Sequence, residues 1–209
     1  MSVVIELDHV IVKHYVSVLR DVGTDTQRFQ GAMDRLSMLL AIEMTREIRL
    51  EENPLQTPLA ITDGFTIKDR IGVVPILRAG LALVGAFRGL IPGSTVLHLG
   101  MYRDEETAQP VAYYNKLEDA PEVDVAFIVD PMLATGGSAI AAIDALVKKG
   151  VNKIVFGCVI AAPEGISAIR EQFPNVSIVA CSIDEGLNDS NYIVPGLGDA
   201  GDRYFGTVL

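Results

Sequence analysis

The chain is short of cysteine, of positive charge and of long apolar runs, and each shortage closes off a class of function. Its two cysteines, Cys158 and Cys181, sit in the apolar runs IVFGCVIAA and SIVACSI. Thiols in such runs are expected to be buried and reduced, and two cannot supply a CxxC pair of pairs for zinc. Lys and Arg number 17 against 27 Asp and Glu, a net charge of −10 at pH 7. Without a basic run, so acidic a chain has no general pull on nucleic acid or on an anionic membrane surface. An anionic ligand would need a local pocket of donors. No apolar window approaches the roughly 18 residues that a membrane span needs. The start, MSVVIELDHVIVKHY, carries acids early and has no basic segment ahead of an apolar one, so it does not read as a signal peptide. The expectation is a soluble, cytoplasmic protein.

What is present suits a globular domain. The chain has 209 residues, 49% hydrophobic and 21% charged, enough to bury a core as a single domain and too apolar for disorder. Residues 24–50 read as a helix, because Phe29, Met33, Leu36, Leu40, Met44 and Ile48 recur at three- and four-residue steps. Thr24 with Gln27 suggests a capping box at its start. Beyond Pro58 come short runs rich in Val and Ile: Ile71–Leu77, Ser94–Leu99, Val123–Val129, Lys153–Ile160 and Val176–Ile183. Helical segments lie between them at Gly80–Leu90, Gly137–Lys149 and Glu164–Phe173. Apolar strands alternating with helices predict an α/β fold with a parallel sheet covered on both faces, and such sheets bind ligands at the carboxyl ends of their strands. Two stretches stand outside the alternation. Residues 100–122 are polar and charged, a length of connection that is usually functional or mobile. Residues 184–209 hold five glycines and are expected as irregular structure folded over the rest.

The segment VAFIVDPMLATGGS (Val125–Ser138) carries the most chemistry. An apolar strand ends at Asp130, and Thr135-Gly136-Gly137-Ser138 opens a helix. Glycines admit an anion close to the backbone, and a helix N-terminus offers free N–H groups and partial positive charge. With the hydroxyls of Thr135 and Ser138, this is a cradle for one phosphate monoester. It is not a Walker loop, since GxxxxGK[ST] occurs nowhere in the chain. Gly196-Leu197-Gly198-Asp199-Ala200-Gly201 matches GxGxxG. Too few residues follow it to build a βαβ unit, so it reads as a tight loop whose backbone meets a flat ligand. Arg78, just past the run IGVVPIL, faces the expected crevice with a fork suited to pyrophosphate oxygens. The three histidines, His9, His14 and His98, are scattered. His98 is expected as a satisfied core residue and the other two in packing or a subunit contact. No Ser-His-Asp or paired-carboxylate arrangement stands out.

A strand, an acid and a short loop ending in TGGS resemble the signature of the type I phosphoribosyltransferases. The single acid in Asp130-Pro131, where most members carry two, is similar to the uracil branch of that family. PILRAGLALV (Pro75–Val84) looks like its pyrophosphate loop, and MYRDEETAQPVAYYNKL (Met101–Leu117) like its mobile loop. AAPEGI (Ala161–Ile166) and YIVPGLGDAGDRYFGT (Tyr192–Thr207) also match, the second being the uracil-binding hood. The chain departs from the family in having His9-Val10 for a His-Pro, and Ile42 where an aromatic residue is common.

The resemblance implies a type I phosphoribosyltransferase-like parallel sheet flanked by helices, with N-terminal helices and an irregular C-terminal hood over about 184–209. It implies transfer of a phosphoribosyl group from phosphoribosyl pyrophosphate (PRPP) to uracil, giving UMP and pyrophosphate. It assigns Arg78, Arg103 and Asp130 to catalysis. It assigns Arg78, Arg103, Asp130, Pro131, Met132, Leu133, Ala134, Thr135, Gly136, Gly137, Ser138 and Asp199 to PRPP, and Ile193, Gly198, Asp199 and Ala200 to uracil. Lys116 is a secondary helper in the mobile loop. Mg²⁺ is expected to be held mainly through PRPP, with no protein ligand assigned. A homo-oligomer, dimer or tetramer, and a GTP activator are further expectations. The alternatives are a regulatory nucleotide- or RNA-binding protein on the same fold, which would need a basic patch, and an enzyme acting on a purine or on orotate.

Overall fold

The structure is a computed structural model that describes residues 3–103, 110–115, 117 and 120–207, giving only the backbone for 101–103, 110–112 and 115. The chain opens with β1 (Val4–Glu6), α1 (Val10–Arg20) and α2 (Thr26–Met44), the last running into a 3₁₀ turn at Thr45–Glu47. A hairpin follows, β2 (Leu50–Gln56) and β3 (Ile61–Ile67), and then β4 (Ile71–Leu77), α3 (Leu81–Leu90) and β5 (Thr95–Val96). β6 (Leu99–Arg103) and β7 (Pro110–Asn115) precede β8 (Val125–Val129), β9 (Met132–Leu133), α4 (Gly137–Lys148) and β10 (Lys153–Ala161). The chain ends through α5 (Pro163–Gln172), β11 (Ser177–Ile183), β12 (Gly186–Leu187), β13 (Ile193–Val194) and α6 (Ala200–Phe205).

The main sheet runs β1-β11-β10-β8-β4-β6-β7, with β5 beside β4 and β9 beside β10. Its pairings are parallel except for β6 with β7. The expected α/β class and parallel sheet are therefore present. Alternation along each strand divides the core. Val125, Phe127 and Val129 of β8 face one side with α1, α2 and α3, while Ala126 and Ile128 face the other with α4 and α5. Cys158 and Cys181 are buried on opposite faces of the sheet, so the two thiols cannot pair. Burial pushes the Cys181 thiol up to about 12 and Cys158 well above its ordinary value. Among the described residues no helix is long and apolar enough to cross a membrane.

Several expectations need correction. The helix read over 24–50 ends at Met44, and its cap is Asp25, whose carboxylate accepts the Arg28 N–H at 2.8 Å. The Thr24–Gln27 capping box does not form, because the Thr24 hydroxyl donates instead to the Val18 carbonyl at 2.7 Å, near the end of α1. Ser94–Leu99 is not one strand. The Val73 carbonyl accepts the Leu97 N–H at 2.8 Å, but two residues on, the same edge of β4 presents Pro75, which has no N–H. The ladder lapses there, and His98 lies half-buried between β5 and β6, not in the core. Residues 100–122 begin as the β6–β7 hairpin, while 104–109 and Lys116 of the expected mobile loop lie outside the described residues. The tail is more regular than expected, with the β12–β13 ribbon and with α6 capped by Asp199 and closed by left-handed Gly206.

Candidate active site

Three loops converge beyond the carboxyl ends of β4 and β8. The first follows β8. Asp130 sits part-buried at the strand end, and its backbone N–H donates to the Gly157 carbonyl at 3.2 Å. Pro131–Leu133 does not hang free. The Pro131 carbonyl accepts the N–H groups of Val159 and Ile160, both at 3.0 Å, and Leu133 accepts that of Ala162 at 2.8 Å. Pro131 and Leu133 are buried and Met132 packs on the core, so these residues hold the loop from beneath and could meet a ligand only through backbone. The accessible cradle is therefore Ala134–Ser138. Gly136 adopts φ 86°, a conformation that favours glycine, and no side chain caps the helix that starts at Gly137. Thr135 is exposed and Ser138 half-buried, and among the described residues neither hydroxyl is engaged. The first N–H groups of α4 and both hydroxyls are thus free to receive an anion.

The cradle is backed by α5. A Cβ on Gly165 would stand 2.4 Å from the Ala134 carbonyl oxygen, so only glycine permits this approach. Glu164 beside it accepts the Leu187 N–H at 3.1 Å, which ties the start of the tail to the same turn.

The second loop follows β4. The Leu77–Arg78 peptide is cis. A Cβ on Gly80 would stand 2.5 Å from the Val129 carbonyl, which brings this loop against the strand end that carries Asp130. The Arg78 side chain is largely exposed and reaches Asp202 of α6, Nη2 to Oδ1 at 3.2 Å. The Thr207 hydroxyl, and after it Arg78, hold the Asp202 carboxyl below its usual value.

The third loop is the tail. Asp199 accepts the Asp202 N–H at 2.8 Å, and a Cβ on Gly201 would stand 3.7 Å from that of Ala79, so α6 abuts the β4 loop. Gly198 (φ 79°) and Asp199 are exposed, whereas Ile193 and Ala200 are buried at 4% and 2% exposure. The Ile193 side chain is part of the core, which leaves its backbone as what it can offer a ligand.

Asp130 is the electrostatic centre. Burial pushes its carboxyl up to about 7, opposed only by a hydrogen bond from the Met132 N–H at 3.3 Å. An acid short of positive partners at the carboxyl end of a sheet is poised for a ligand that brings its own donors or cation. Of the expected site residues, Arg78, Asp130–Ser138 and Asp199 are thus brought to neighbouring loops. Arg103 is placed only by its backbone at the end of β6, its side chain lying outside what is described. Arg20, Asp184 and Arg203, which hold the tail, were not legible as functional. Arg20 and Asp184 are partners 164 residues apart, and nothing in the local pattern joins them.

Comparison with known proteins points to one family. The sequence model of the uracil phosphoribosyltransferase family matches residues 6–207. The uracil phosphoribosyltransferase of Streptococcus agalactiae serotype III is 48% identical over 96% of this chain and 97% of its own. That of Geobacillus kaustophilus is 49% identical over 99% and 100%. A solved protein from Aquifex aeolicus superposes with a TM-score of 0.91 at 36% identity, covering 99% of both chains. The adenine phosphoribosyltransferase of Giardia lamblia, solved with 9-deazaadenine, is similar in fold alone, at a TM-score of 0.53 and 17% identity over 74% and 81%.

Proposed function

The chain belongs to the uracil phosphoribosyltransferase family, and from that premise we propose how its residues carry the reaction. The enzyme transfers the phosphoribosyl group of PRPP to uracil, giving UMP and pyrophosphate, and this reading stands over the regulatory RNA-binding one. The supporting observation for the residue roles is the meeting of the Asp130–Ser138 turn, the Arg78 loop and the tail beyond the carboxyl ends of β4 and β8.

In this reading the 5-phosphate of PRPP lies at the start of α4, on the N–H groups and hydroxyls of Thr135–Ser138. Asp130 accepts from the ribose hydroxyls. Arg78 exchanges Asp202 for pyrophosphate oxygens, and Arg103 joins it from the β6–β7 hairpin, with Lys116 secondary. The Ile193–Ala200 loop pairs backbone N–H and C=O groups with the edge of uracil, and Asp199 also faces PRPP. The bond from the anomeric carbon to pyrophosphate breaks as a uracil nitrogen bonds to that carbon, and the uracil N–H proton is released. No side chain needs to act as nucleophile. Orientation of two reactants supplies up to about 7–11 kcal/mol, and closure of the hairpin over PRPP would exclude water.

Asp130 has no cationic partner among the described residues, and it fits an ion held mostly by PRPP oxygens and water. Among the described residues no group of three or more His, Cys, Asp or Glu could hold one alone. Magnesium bound in this way would offset charge on the departing pyrophosphate. A cytoplasmic homo-oligomer, dimer or tetramer, belongs to the same reading. It is supported by the exposed β2–β3 hairpin, which lines up Leu50, Ile61, Phe65 and Ile67 on one face. GTP is a candidate activator with no residue assigned to it. The test is conversion of labelled uracil to UMP with PRPP and Mg²⁺ omitted in turn, GTP being added in a further arm. Product that requires both supports the reading. No product from folded protein that binds PRPP would discard uracil as the base.

A further inference from the structure

The uracil-facing loop is clamped from behind by a buried ion pair. Arg20, at the end of α1, and Asp184, just past β11, meet fork to fork, Nη1 to Oδ2 at 2.7 Å and Nη2 to Oδ1 at 2.5 Å. The Asp184 side chain has no exposed surface, and that of Arg20 is 25% exposed. Each partner also takes one backbone group of Gly196. The Gly196 N–H donates to Asp184 Oδ2 at 2.9 Å, and its carbonyl accepts from Arg20 Nη1 at 3.0 Å. Gly196 is left-handed at φ 66°, and a Cβ there would stand 2.2 Å from the Ile193 carbonyl oxygen. The loop therefore turns back on Ile193 at the residue that the ion pair holds. Arg203 secures the next residue, donating from Nη1 to the Leu197 carbonyl at 2.7 Å and from Nη2 to that of Asp21 at 2.7 Å.

Between the β12–β13 ribbon, which ends at Val194, and α6, which starts at Ala200, the loop has no ladder of its own to keep backbone atoms in place for reading a base. Recognition of this kind requires placement within about 0.5 Å. A bidentate pair satisfying both backbone polar groups of one residue supplies such placement, and its planar fork is not reproduced by lysine. We propose that Arg20 and Asp184 are positioning residues that set the register of the loop from Ile193 to Ala200, and so determine uracil affinity without touching either substrate. The inference rests on the reading that this loop receives uracil.

The test is steady-state kinetics of Arg20→Lys with each substrate varied in turn, beside a double variant, Arg20→Met with Asp184→Asn. The double variant strands no charge in the interior and answers if the single one fails to fold. Both are expected to raise KM for uracil at least tenfold, while KM for PRPP, which in this reading shares only Asp199 with the loop, rises far less and the melting temperature of the PRPP complex changes little. A merely structural pair would move both substrates together, and that result, or an unchanged uracil KM in folded variants, overturns the proposal. Ala200→Val, in the loop itself, separates the two failures. If it raises uracil KM and the clamp variants do not, only the clamp is refuted. If it leaves uracil KM unchanged, the base lies elsewhere and the clamp proposal falls with that reading.

Discussion

Replacing Asp130 with asparagine is predicted to stabilise the free protein and to disable it. In the free protein, burial lifts the Asp130 carboxyl from 3.8 to about 7. A group that holds its proton more tightly when folded favours folding at low pH. Its contribution is complete below about pH 4 and is lost as pH rises through about 7. The span, 7 − 3.8 = 3.2 units, sets a ceiling of about 4 kcal/mol. Asp130 is only part-buried by surface, so water screens it, and about 1–3 kcal/mol is the expected share. Asparagine keeps an oxygen for the Met132 N–H and never ionises. At pH 8 the variant should therefore melt about 2–12 °C above the parent, at roughly 2–4 °C per kcal/mol for a chain of this length. At pH 5 the folded carboxyl is neutral and the gap should narrow to less than half, closing only below about pH 4, where the unfolded carboxyl is protonated too. Scanning calorimetry from pH 5 to 8 reads this directly. A gap that is independent of pH, or a variant less stable at pH 8, refutes the reasoning. Activity should fall about 10- to 150-fold, the worth of one charged hydrogen bond to a ribose hydroxyl.

Gly165→Ala should raise the PRPP dissociation constant at least tenfold by calorimetric titration, because the new Cβ meets the Ala134 carbonyl at 2.4 Å and the cradle must shift. Arg103→Ala should lower turnover far more than it lowers the melting temperature, and an unchanged rate would sink the loop-closure role. Phe65→Asp places a charge on the exposed apolar face of the β2–β3 hairpin and should shift the assembly to a smaller species in analytical ultracentrifugation. The root of that hairpin should loosen in acid. Hydrogen bonds from Arg70 hold Asp124 well below the usual carboxylate range, and those from Arg49 outweigh burial to lower Asp69. Depressed carboxyls stabilise the fold above about pH 4 and lose that effect as pH falls through their folded values. The hydrogen-exchange protection of residues 50–67, taken relative to the intrinsic rate at each pH, should fall at pH 3 relative to pH 6.

The sheet was legible because its strands are buried on both faces and read as unbroken apolar runs. β4 was read with its observed ends at Ile71 and Leu77, and β10 and β11 within a residue at each end. α1 was expected only through the resemblance, as one of the N-terminal helices, and was not read from the residues, although Val12, Val16 and Leu19 recur at helical spacing. The β-branched density of VIVKHYVSV hides that period, and the cap is a histidine, His9, whose Nδ1 accepts the Ile11 N–H at 3.1 Å. The β2–β3 hairpin was missed for the opposite reason, since nearly every residue in it is exposed, and its one apolar face is broken by Asp63 on β3 and continued on β2 by Leu50 but not by Glu52 or Gln56. At the site, the strand–acid–TGGS order was visible because local chemistry demands it. The Arg20–Asp184 clamp was invisible because partners 164 residues apart leave no local trace.

The chain's excess of acid is compatible with a polyanionic substrate because little of that acid is free at the site. Asp202 is engaged by the Thr207 hydroxyl at 2.6 Å and by Arg78 at 3.2 Å. Asp199 is engaged as a helix cap on the Asp202 N–H. Burial raises the Asp130 carboxyl above the usual carboxylate range, so an arriving phosphate meets there an acid that gives up its proton less readily than an ordinary carboxyl. The attraction comes instead from groups that do not enter the net charge: the free N–H groups at the start of α4 and the hydroxyls of Thr135 and Ser138. Arg78 is the mobile exception. Its partner Asp202 lies on α6 in the tail, so in the proposed reading a turn of Arg78 toward pyrophosphate would break one of the contacts between the tail and the β4 loop. In the proposed reading this exposed ion pair, weak enough to break when a better anion arrives, would link the pyrophosphate loop to the tail.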